Sequence, residues 1–241
     1  MRFLEYETWR IADSSSQGDH DNMVREWFLY VARYKEELFG EWVSARYFQQ
    51  VDANGAATGV YVMLFEYDSM LGHHAYKNRR LHSYAMEDGI YEHYRSIDPY
   101  QLFDESTVTT DYIQPEKTDL WFDIPVTDSY NKFISYTTWR LKKEADLKAY
   151  NALIEAHFER IRADVDCFCA SRYYKMVTRE AEHIGGYSIF HEYMDINAFK
   201  GSDIYEEFIK TLEEFAGNIE VVYMQVKEKH LWIDYSASMN V

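Results

Sequence analysis

The feature that most constrains the fold of this chain is a short segment that occurs twice. Phe3–Ile11 reads FLEYETWRI, and Phe133–Leu141 reads FISYTTWRL. Self-similarity of this kind indicates two copies of one structural unit. We predict a first unit over residues 1–125 and a second over residues 132–241. Further anchors follow in the same order in both halves: Arg46-Tyr47 with Arg172-Tyr173, Gly59-Val60-Tyr61 with Gly185-Gly186-Tyr187, Glu66-Tyr67 with Glu192-Tyr193, and Leu120-Trp121-Phe122-Asp123 with Leu231-Trp232-Ile233-Asp234.

The residues between the anchors predict the same elements in each half. Alternating β-branched and aromatic runs are typical of strands, and apolar residues at helical spacing are typical of helices. In the first half, strands are predicted near 2–11, 42–51, 59–67, 107–113 and 119–124, and helices near 22–39 and 86–103. In the second half, strands are predicted near 132–141, 167–178, 184–193, 219–226 and 229–235, and helices near 144–163 and 202–216.

The order strand, helix, strand, strand, helix, strand is that of the ferredoxin-like unit, which has two helices on one face of an antiparallel sheet. The other face is left open, and such a face is normally buried against a second sheet. We therefore expect an α+β protein of two tandem ferredoxin-like (βαββαβ) units, with their antiparallel sheets packed face to face.

In element order and size, the whole chain resembles the dimeric α/β-barrel superfamily, in a tandem-repeat form. That superfamily includes antibiotic-biosynthesis monooxygenases, NIPSNAP-like proteins and, more distantly, chlorite-dismutase-like haem proteins. The resemblance implies an intramolecular version of the dimeric barrel, in which one chain supplies both sheets.

The chain is strongly acidic, with a formal net charge of −16 and a pI near 4.9. Nucleic-acid binding depends on clustered Lys and Arg that neutralise phosphates, so we expect no nucleic-acid partner. The sequence opens without the basic and apolar pattern of a signal peptide, and it has no apolar stretch of the roughly 18 residues that span a membrane. We expect a cytoplasmic protein with no membrane partner. Cys167 and Cys169 are the only two cysteines and stand next but one to each other on a predicted strand, which predicts neither a disulfide nor a metal site.

Charged side chains recur on one predicted sheet face in each half. Alternation places Tyr6 and Arg10 on one face of the first strand. Arg46 and Glu66 lie symmetrically about the loop between their strands, so they should face each other across neighbouring strands. With the third strand between the first and second, the expected rows are Arg10–Glu66–Arg46 and Arg140–Glu192–Arg172.

Two interpretations of these rows stay open. In one, they line a cavity, where an Arg binds a carboxylate ligand through two parallel hydrogen bonds and Glu66 acts as a base. In the other, they form a structural ion network, because buried charges must be paired, and their presence in both halves favours it. The candidate ligand-binding residues are Arg10, Arg46, Arg140, Arg172, Glu192, Tyr6 and Tyr136.

A site that occurs only once should lie where the halves differ. The first half has extra residues in a polar loop at 13–21 and in the segment 72–82, which contains three of the nine histidines. Residues 70–88 are therefore either a lid over a ligand or a plain surface loop. His191, at the position of Phe65, is either a hydrogen-bonded core histidine or a catalytic one. The catalytic candidates are Glu66, His74, His82 and His191.

Three classes of function remain. The first is a small-molecule-binding protein, or an enzyme of monooxygenase or isomerase type, that acts on a hydrophobic or aromatic carboxylate between the sheets. The resemblance implies the second, a haem protein whose axial histidine projects from a helix, for which His157 and His93 are the candidates. The third is a non-catalytic assembly protein. The residues themselves predict no cofactor and no metal, and a homo-oligomer is an open alternative.

Overall fold

The computed structural model describes residues 1–12, 17–34, 37, 39–78, 102–124, 132–226 and 232–234. Its helices are α1 (Gln17–Arg33), α2 (Met70–Asn78), α3 (Leu147–Ala163), α4 (Ile196–Gly201) and α5 (Ile204–Phe215), with a 3-10 turn at Thr118–Leu120. Its strands are β1 (Phe3–Ile11), β2 (Trp42–Val51), β3 (Ala57–Tyr67), β4 (Phe103–Pro115), β5 (Phe122–Asp123), β6 (Phe133–Leu141), β7 (Phe168–Val177), β8 (His183–Tyr193), β9 (Ala216–Val226) and β10 (Trp232–Asp234).

The strands form antiparallel sheets that close into a barrel. In the first half β1 lies between β3 and β4, and in the second half β6 lies between β8 and β9. The halves join where β4 pairs with β7 and where β2 pairs with β9. The short strands β5 and β10 pair with the remaining parts of β7 and β2. The predicted α+β fold, with two ferredoxin-like sheets facing each other, is confirmed, and the sheets are also hydrogen-bonded along both edges.

The repeated segments have the same place in the two sheets. Residues 3–10 pair with 60–67, and residues 133–140 pair with 186–193 in the same register. The division of the chain into units 1–125 and 132–241 stays a prediction.

Alternation along β1 divides its side chains between two cores. Phe3 and Trp9 face the helices outside the barrel, whereas Leu4 and Tyr6 face the interior. Helices α1 and α2 cover the first sheet, and α3 and α5 cover the second. The interior core consists of Leu4, Tyr6, Phe48, Val62, Leu64, Ile113, Ile134, Tyr136, Tyr174, Phe190, Met224 and Val226.

Local capping explains where one predicted helix begins. The side chain of Asp146 accepts hydrogen bonds from the backbone N–H groups of Lys148 and Ala149. An aspartate in this position satisfies the N–H groups that have no partner in the first turn. The helix therefore begins at Leu147 rather than near 144.

The segment predicted as an insertion is helical in its first part. Gly72, His73 and Tyr76 of α2 are buried against the first sheet. The interpretation of this segment as a plain surface loop is therefore wrong for residues 70–78, because one face of the helix packs into the core. Residues 79–101, which include His82 and most of the helix predicted near 86–103, lie outside the described residues. Within the ranges described, no helix is long and apolar enough to cross a membrane.

Candidate functional site

Charged side chains gather where β3 and β8 end, at a place that we call the charged barrel end. Strand register creates it, because Glu66 lies opposite Leu4 and Ser44, while Glu192 lies opposite Ile134. These residues share the interior-facing side of the strands with the apolar core. The charged barrel end consists of Arg2, Ser44, Arg46, Glu66, Asp123, Lys132, Arg172 and Glu192.

Glu192 is the centre of this end. Its Oε1 accepts hydrogen bonds from Nη1 of Arg46 at 2.7 Å and from Nη1 of Arg172 at 3.4 Å. Its Oε2 accepts one from Nζ of Lys132 at 3.0 Å. Burial of the side chain opposes ionisation, but the three cations outweigh burial and lower the pKa of Glu192 to about 2. Glu192 is therefore a fixed negative charge at neutral pH, and Arg172 is held further by Asp123.

Glu66, the predicted base, is held by groups of its own half. Its Oε1 accepts a hydrogen bond from Nη1 of Arg2 at 2.7 Å, and its Oε2 accepts one from Oγ of Ser44 at 2.8 Å. Both oxygens therefore have partners, and Glu66 fixes the position of Arg2. The side chain of Arg2 is 38% exposed, so it lies at the rim of the charged barrel end.

The predicted rows of charge are partly wrong. The contact between Arg172 and Glu192 is confirmed. Arg10 lies opposite Val60 and Arg140 opposite Gly186, far along the strands from Glu66 and Glu192, because antiparallel pairing brings the end of one strand to the start of the next. Both arginines are exposed and donate to backbone carbonyl groups.

Arg46 also differs from the prediction. It lies opposite Leu64 rather than Glu66, since the loop between β2 and β3 is centred near Asn54. It donates to Glu192 of the other half. Sequence reasoning missed Arg2 and Lys132. Both stand two residues before interior-facing strand positions, so strand alternation alone could have identified them.

An open groove adjoins the charged barrel end, and we call it the rim groove. Its volume is about 710 Å³, and it lies where the first strand begins and β4 leaves β1 to pair with β7. Its lining contains three cations and one large aromatic ring. The residues of the rim groove are Met1, Arg2, Pro115, Glu116, Lys117, Thr118, Asp119, Trp121 and Lys175.

Trp121 is held in a defined orientation in this groove. Its indole N–H donates to the backbone carbonyl of Tyr173 at 3.2 Å, and its ring packs on that of Tyr174 at 5.3 Å between centroids. Lys117, one of the three cations of the rim groove, has a partner at the surface. Its Nζ lies 3.0 Å from Oε1 of Glu155.

The centre of the barrel is occupied by aromatic rings. The rings of Tyr6 and Tyr136 lie 4.6 Å apart, and those of Tyr136 and Phe190 lie 4.3 Å apart. The hydroxyl of Tyr6 donates to Sδ of Met224 at 3.9 Å. The predicted ligand-binding role of Tyr6 and Tyr136 stays a prediction. The rim groove lies at the end of the barrel rather than at its centre.

Two of the candidate histidines, His74 and His191, lie apart from the charged barrel end. His191 is fully buried on the outer face of the second sheet, where Ser171 contacts its Nδ1 at 2.8 Å and His157 contacts its Nε2 at 3.1 Å. Burial lowers the pKa of His191 to about 3. This is the arrangement of a hydrogen-bonded core histidine. His74 lies on α2, with Nε2 3.2 Å from the backbone carbonyl of Arg179.

The described residues around His157 do not fit a haem site with this helical histidine as the axial ligand. Nε2 of His157, the atom that would bind iron, contacts His191, and the imidazole stacks on Phe208 at 3.9 Å. The residue is 3% exposed. Because Phe208 packs against the imidazole at this distance, the described residues leave no room for a haem macrocycle beside His157. The other candidate, His93, lies outside the described residues.

Comparison with known proteins places the chain by its fold. No protein-family model matches the sequence, and no curated protein matches it. Among solved structures, a presumed monooxygenase from Fusobacterium nucleatum subsp. nucleatum ATCC 25586 is similar, with a TM-score of 0.60 and 11% identity over 94% of this chain and 93% of that one.

Two further structures are similar in the same way. A heme-binding protein from Thermus thermophilus has a TM-score of 0.54 and 12% identity, over 99% of this chain and 95% of that one. A mutant chlorite dismutase from Candidatus Nitrospira defluvii has a TM-score of 0.51 and 9% identity, over 95% and 92%. The chain thus has the ferredoxin-like, dimeric α/β-barrel fold that its element order predicted.

Proposed function

We propose that the protein binds a small organic carboxylate with an aromatic or apolar body in the rim groove. The observation that carries the proposal is the combination of Trp121 with Arg2, Lys117 and Lys175 around an open volume of about 710 Å³. Pockets for small molecules have volumes of roughly 300–1,000 Å³ and combine apolar surface with a few well-placed polar groups.

Arg2 is the group best placed to bind the carboxylate. Glu66 holds it through Nη1, and a guanidinium has further N–H donors in a rigid plane. Arg2 is thus oriented by a buried partner while part of its side chain stays exposed. An oriented Arg can form two parallel hydrogen bonds to a carboxylate with little further loss of side-chain freedom.

The two lysines can reach the same ligand. Lys117 contacts Glu155, whose side chain is 56% exposed, and Nζ of Lys175 lies 3.9 Å from Oε2 of Glu116. Exposed pairs of this kind contribute only about 0–1 kcal/mol. A ligand carboxylate can therefore compete for these ammonium groups, and the fixed face of Trp121 offers apolar contact to the body of the ligand.

The solved proteins with this fold support a small-molecule role in general terms. One is described as a presumed monooxygenase and another as heme-binding. Because a fold does not determine a function, the proposal rests on the groove itself. Conversion of the bound carboxylate into a product would require a reactive group beside the charged barrel end. Glu192 lies at that end and stays ionised at neutral pH.

Isothermal titration calorimetry with naphthoate tests the proposal. We expect the wild-type protein to bind naphthoate and to bind the neutral analogue naphthylmethanol at least tenfold more weakly. Arg2→Ala should weaken naphthoate binding by about 10- to 100-fold, since a hydrogen bond to a charged group contributes about 1.5–3 kcal/mol. Trp121→Phe should weaken both ligands by a similar, smaller factor.

Arg10→Ala is the matched control. It removes an exposed arginine from the opposite end of the strand that follows Arg2. Naphthoate affinity should be unchanged in this variant. Equal affinity for the acid and the alcohol, or equal affinity in the Arg2→Ala and wild-type proteins, would contradict the proposal.

A further inference from the structure

A second group of polar side chains faces the barrel interior at the end opposite the charged barrel end. Two of its members are carboxylates. Asp111 of β4 lies directly opposite Tyr6 of β1. Glu220 of β9 lies opposite Thr138 of β6, two residues beyond Tyr136 on the same face. We call this place the acidic mouth, and it consists of Thr8, Thr109, Asp111, Tyr136, Thr138, Ser188 and Glu220.

Exposure falls from the rim of the acidic mouth towards the barrel centre. Asp111 and Glu220 are exposed, and Thr138 is half-buried. Ser188, which lies opposite Thr138, has 0% of its surface exposed, and Tyr136 has 2%. Polar atoms therefore continue from the solvent to the aromatic core, with the buried hydroxyls behind the exposed carboxylates.

Two buried hydroxyl groups of the mouth have no hydrogen-bond partner among the described residues. Oη of Tyr136 and Oγ of Ser188 lie near each other, yet neither forms a hydrogen bond. The ring of Tyr6 lies 4.6 Å from that of Tyr136, and its hydroxyl donates to Sδ of Met224 at 3.9 Å. Buried polar groups are nearly always hydrogen-bonded. These oxygens can therefore accept hydrogen bonds from a ligand.

The two carboxylates face each other without a cation between them. None of the ion pairs within the described residues includes Asp111 or Glu220. Burial and the charge of Glu220 raise the pKa of Asp111, which agrees with their closeness. The arginines of this barrel end, Arg10 and Arg140, donate instead to backbone carbonyl groups of β3 and β8 at 3.2 and 3.1 Å. The described residues thus leave a place for one positive charge.

The fold itself does not require these carboxylates. Asp111 corresponds in register to Val222 of β9, and Glu220 corresponds to Thr109 of β4. The hydroxyl of Thr109 is hydrogen-bonded to that of Thr8 at 2.7 Å, so this position is satisfied without a charge. The facing pair of carboxylates therefore occurs once in the barrel, as expected for a site rather than for a repeated structural feature.

We propose that the acidic mouth binds a small primary ammonium ion with a short apolar chain. An ammonium group has three N–H donors and no acceptor, and the mouth offers acceptor oxygens. Asp111 and Glu220 accept two of the N–H groups at the rim, and the hydroxyl of Tyr136 accepts the third. The apolar chain lies against Val222, which is half-buried opposite Tyr136.

The set of acceptors favours an ammonium ion over the other classes of ligand. Two carboxylates disfavour an anion. Within the ranges that the structure describes, no group of three or more metal-binding side chains occurs, whereas Ca²⁺ takes about 6–8 oxygen ligands. The ring of Tyr136, which stacks on Phe190 at 4.3 Å, also offers a π-face to a cation.

Titration with n-butylammonium, followed by ¹⁵N–¹H correlation NMR of the labelled protein, tests the proposal. We expect amide shifts at residues 109–111 and 220–222. The neutral analogue 1-butanol, and tetramethylammonium, which has no N–H donor, should each bind about tenfold more weakly or worse. Asp111→Asn and Glu220→Gln should each weaken n-butylammonium binding by about 5- to 20-fold, as expected for a charge-assisted hydrogen bond at a partly exposed site.

Tyr136→Phe removes only the buried hydroxyl. It should weaken n-butylammonium binding and leave the melting temperature unchanged, because this hydroxyl has no partner to lose among the described residues. Glu159→Gln is the matched control, since it removes the same charge from an exposed position on α3, and its affinity should equal that of wild type. An equal loss in Glu159→Gln would indicate general attraction to an acidic protein and would overturn the proposal. Equal affinity for n-butylammonium and 1-butanol, or wild-type affinity in both Asp111→Asn and Glu220→Gln, would also overturn it.

Discussion

Glu192→Gln removes the central negative charge of the charged barrel end and keeps the shape of the side chain. The pKa of Glu192 is lowered from 4.5 to about 2 in the folded protein. At about 1.4 kcal/mol per pH unit, this difference corresponds to about 3 kcal/mol of stabilisation by the ionised carboxylate. The variant also leaves Arg46, Lys132 and Arg172 without their shared partner, and breaking a buried pair costs about 3–5 kcal/mol. We expect a loss of about 3 kcal/mol in the free energy of unfolding at neutral pH.

The pH dependence of this loss follows from the sign of the shift. Because the folded-state pKa of Glu192 is the lower one, its stabilisation is fully present above about pH 4.5 and is lost as the pH falls towards about 2. The difference between wild type and Glu192→Gln should thus be constant from neutral pH to about pH 5.5. It should then shrink in acid.

Urea unfolding followed by tryptophan fluorescence measures both effects. Glu155→Gln is the matched control, because Glu155 contacts Lys117 at the surface with its side chain 56% exposed. An exposed pair of this kind should contribute less than about 1 kcal/mol. If Glu192→Gln were as stable as Glu155→Gln at neutral pH, or if its deficit persisted unchanged in acid, the reasoning about the charged barrel end would be refuted.

Two further perturbations test other parts of the structure. Burial holds the pKa values of His157 and His191 below the ordinary 6.5. As the pH falls, these histidines are therefore protonated in the unfolded state before they are protonated in the folded state. The free energy of unfolding, from urea titrations at successive pH values, should fall below about pH 6.5, and it should fall less steeply in His191→Phe; an equal slope would contradict this. Gly72→Ala places a Cβ against Oδ1 of Asp68, so melting followed by circular dichroism should show a loss of about 1–3 kcal/mol. Gly201→Ala, where a Cβ meets nothing within 4 Å, should show no such loss.

The sequence was sufficient for the architecture because its signals were local and repeated. The alternation in FLEYETWRI and FISYTTWRL identifies strands, and the equal order of elements identifies the unit. The edges of the sheets were harder to predict. The end of β4, from Tyr112 to Pro115, pairs along its second edge with β7, and no local pattern in the sequence identifies that partner.

The candidate site was predicted in part. Strand alternation correctly predicted that Glu66 and Glu192 share the interior face. The face alone does not determine which residue of the neighbouring strand lies opposite each of them. The loop between β2 and β3 is centred near Asn54, so Arg46 lies opposite Leu64, two positions from Glu66, and instead reaches Glu192 across the barrel. Contacts between halves of this kind depend on tertiary packing and cannot be obtained from the spacing within one hairpin.

Helix α2 shows the opposite case. The difference between the two halves predicts a site within residues 72–82, with His74 and His82 as the candidates. The structure instead buries the neighbouring His73, because it lies on the helix face that packs on Phe3 and Tyr67. The helical period of residues 70–78 could have identified that face, had the segment been recognised as a helix.

The central claim is that the rim groove binds an organic carboxylate, and photo-crosslinking tests its location most directly. Benzoylbenzoate carries a carboxylate, an aromatic body and a photoreactive ketone, and its attachment sites can be mapped by mass spectrometry. The account predicts labelling within residues 115–121 and at Met1 or Lys175, and loss of this labelling in Arg2→Ala or with excess naphthoate. Labelling that avoids these residues, or that naphthoate does not displace, would contradict it.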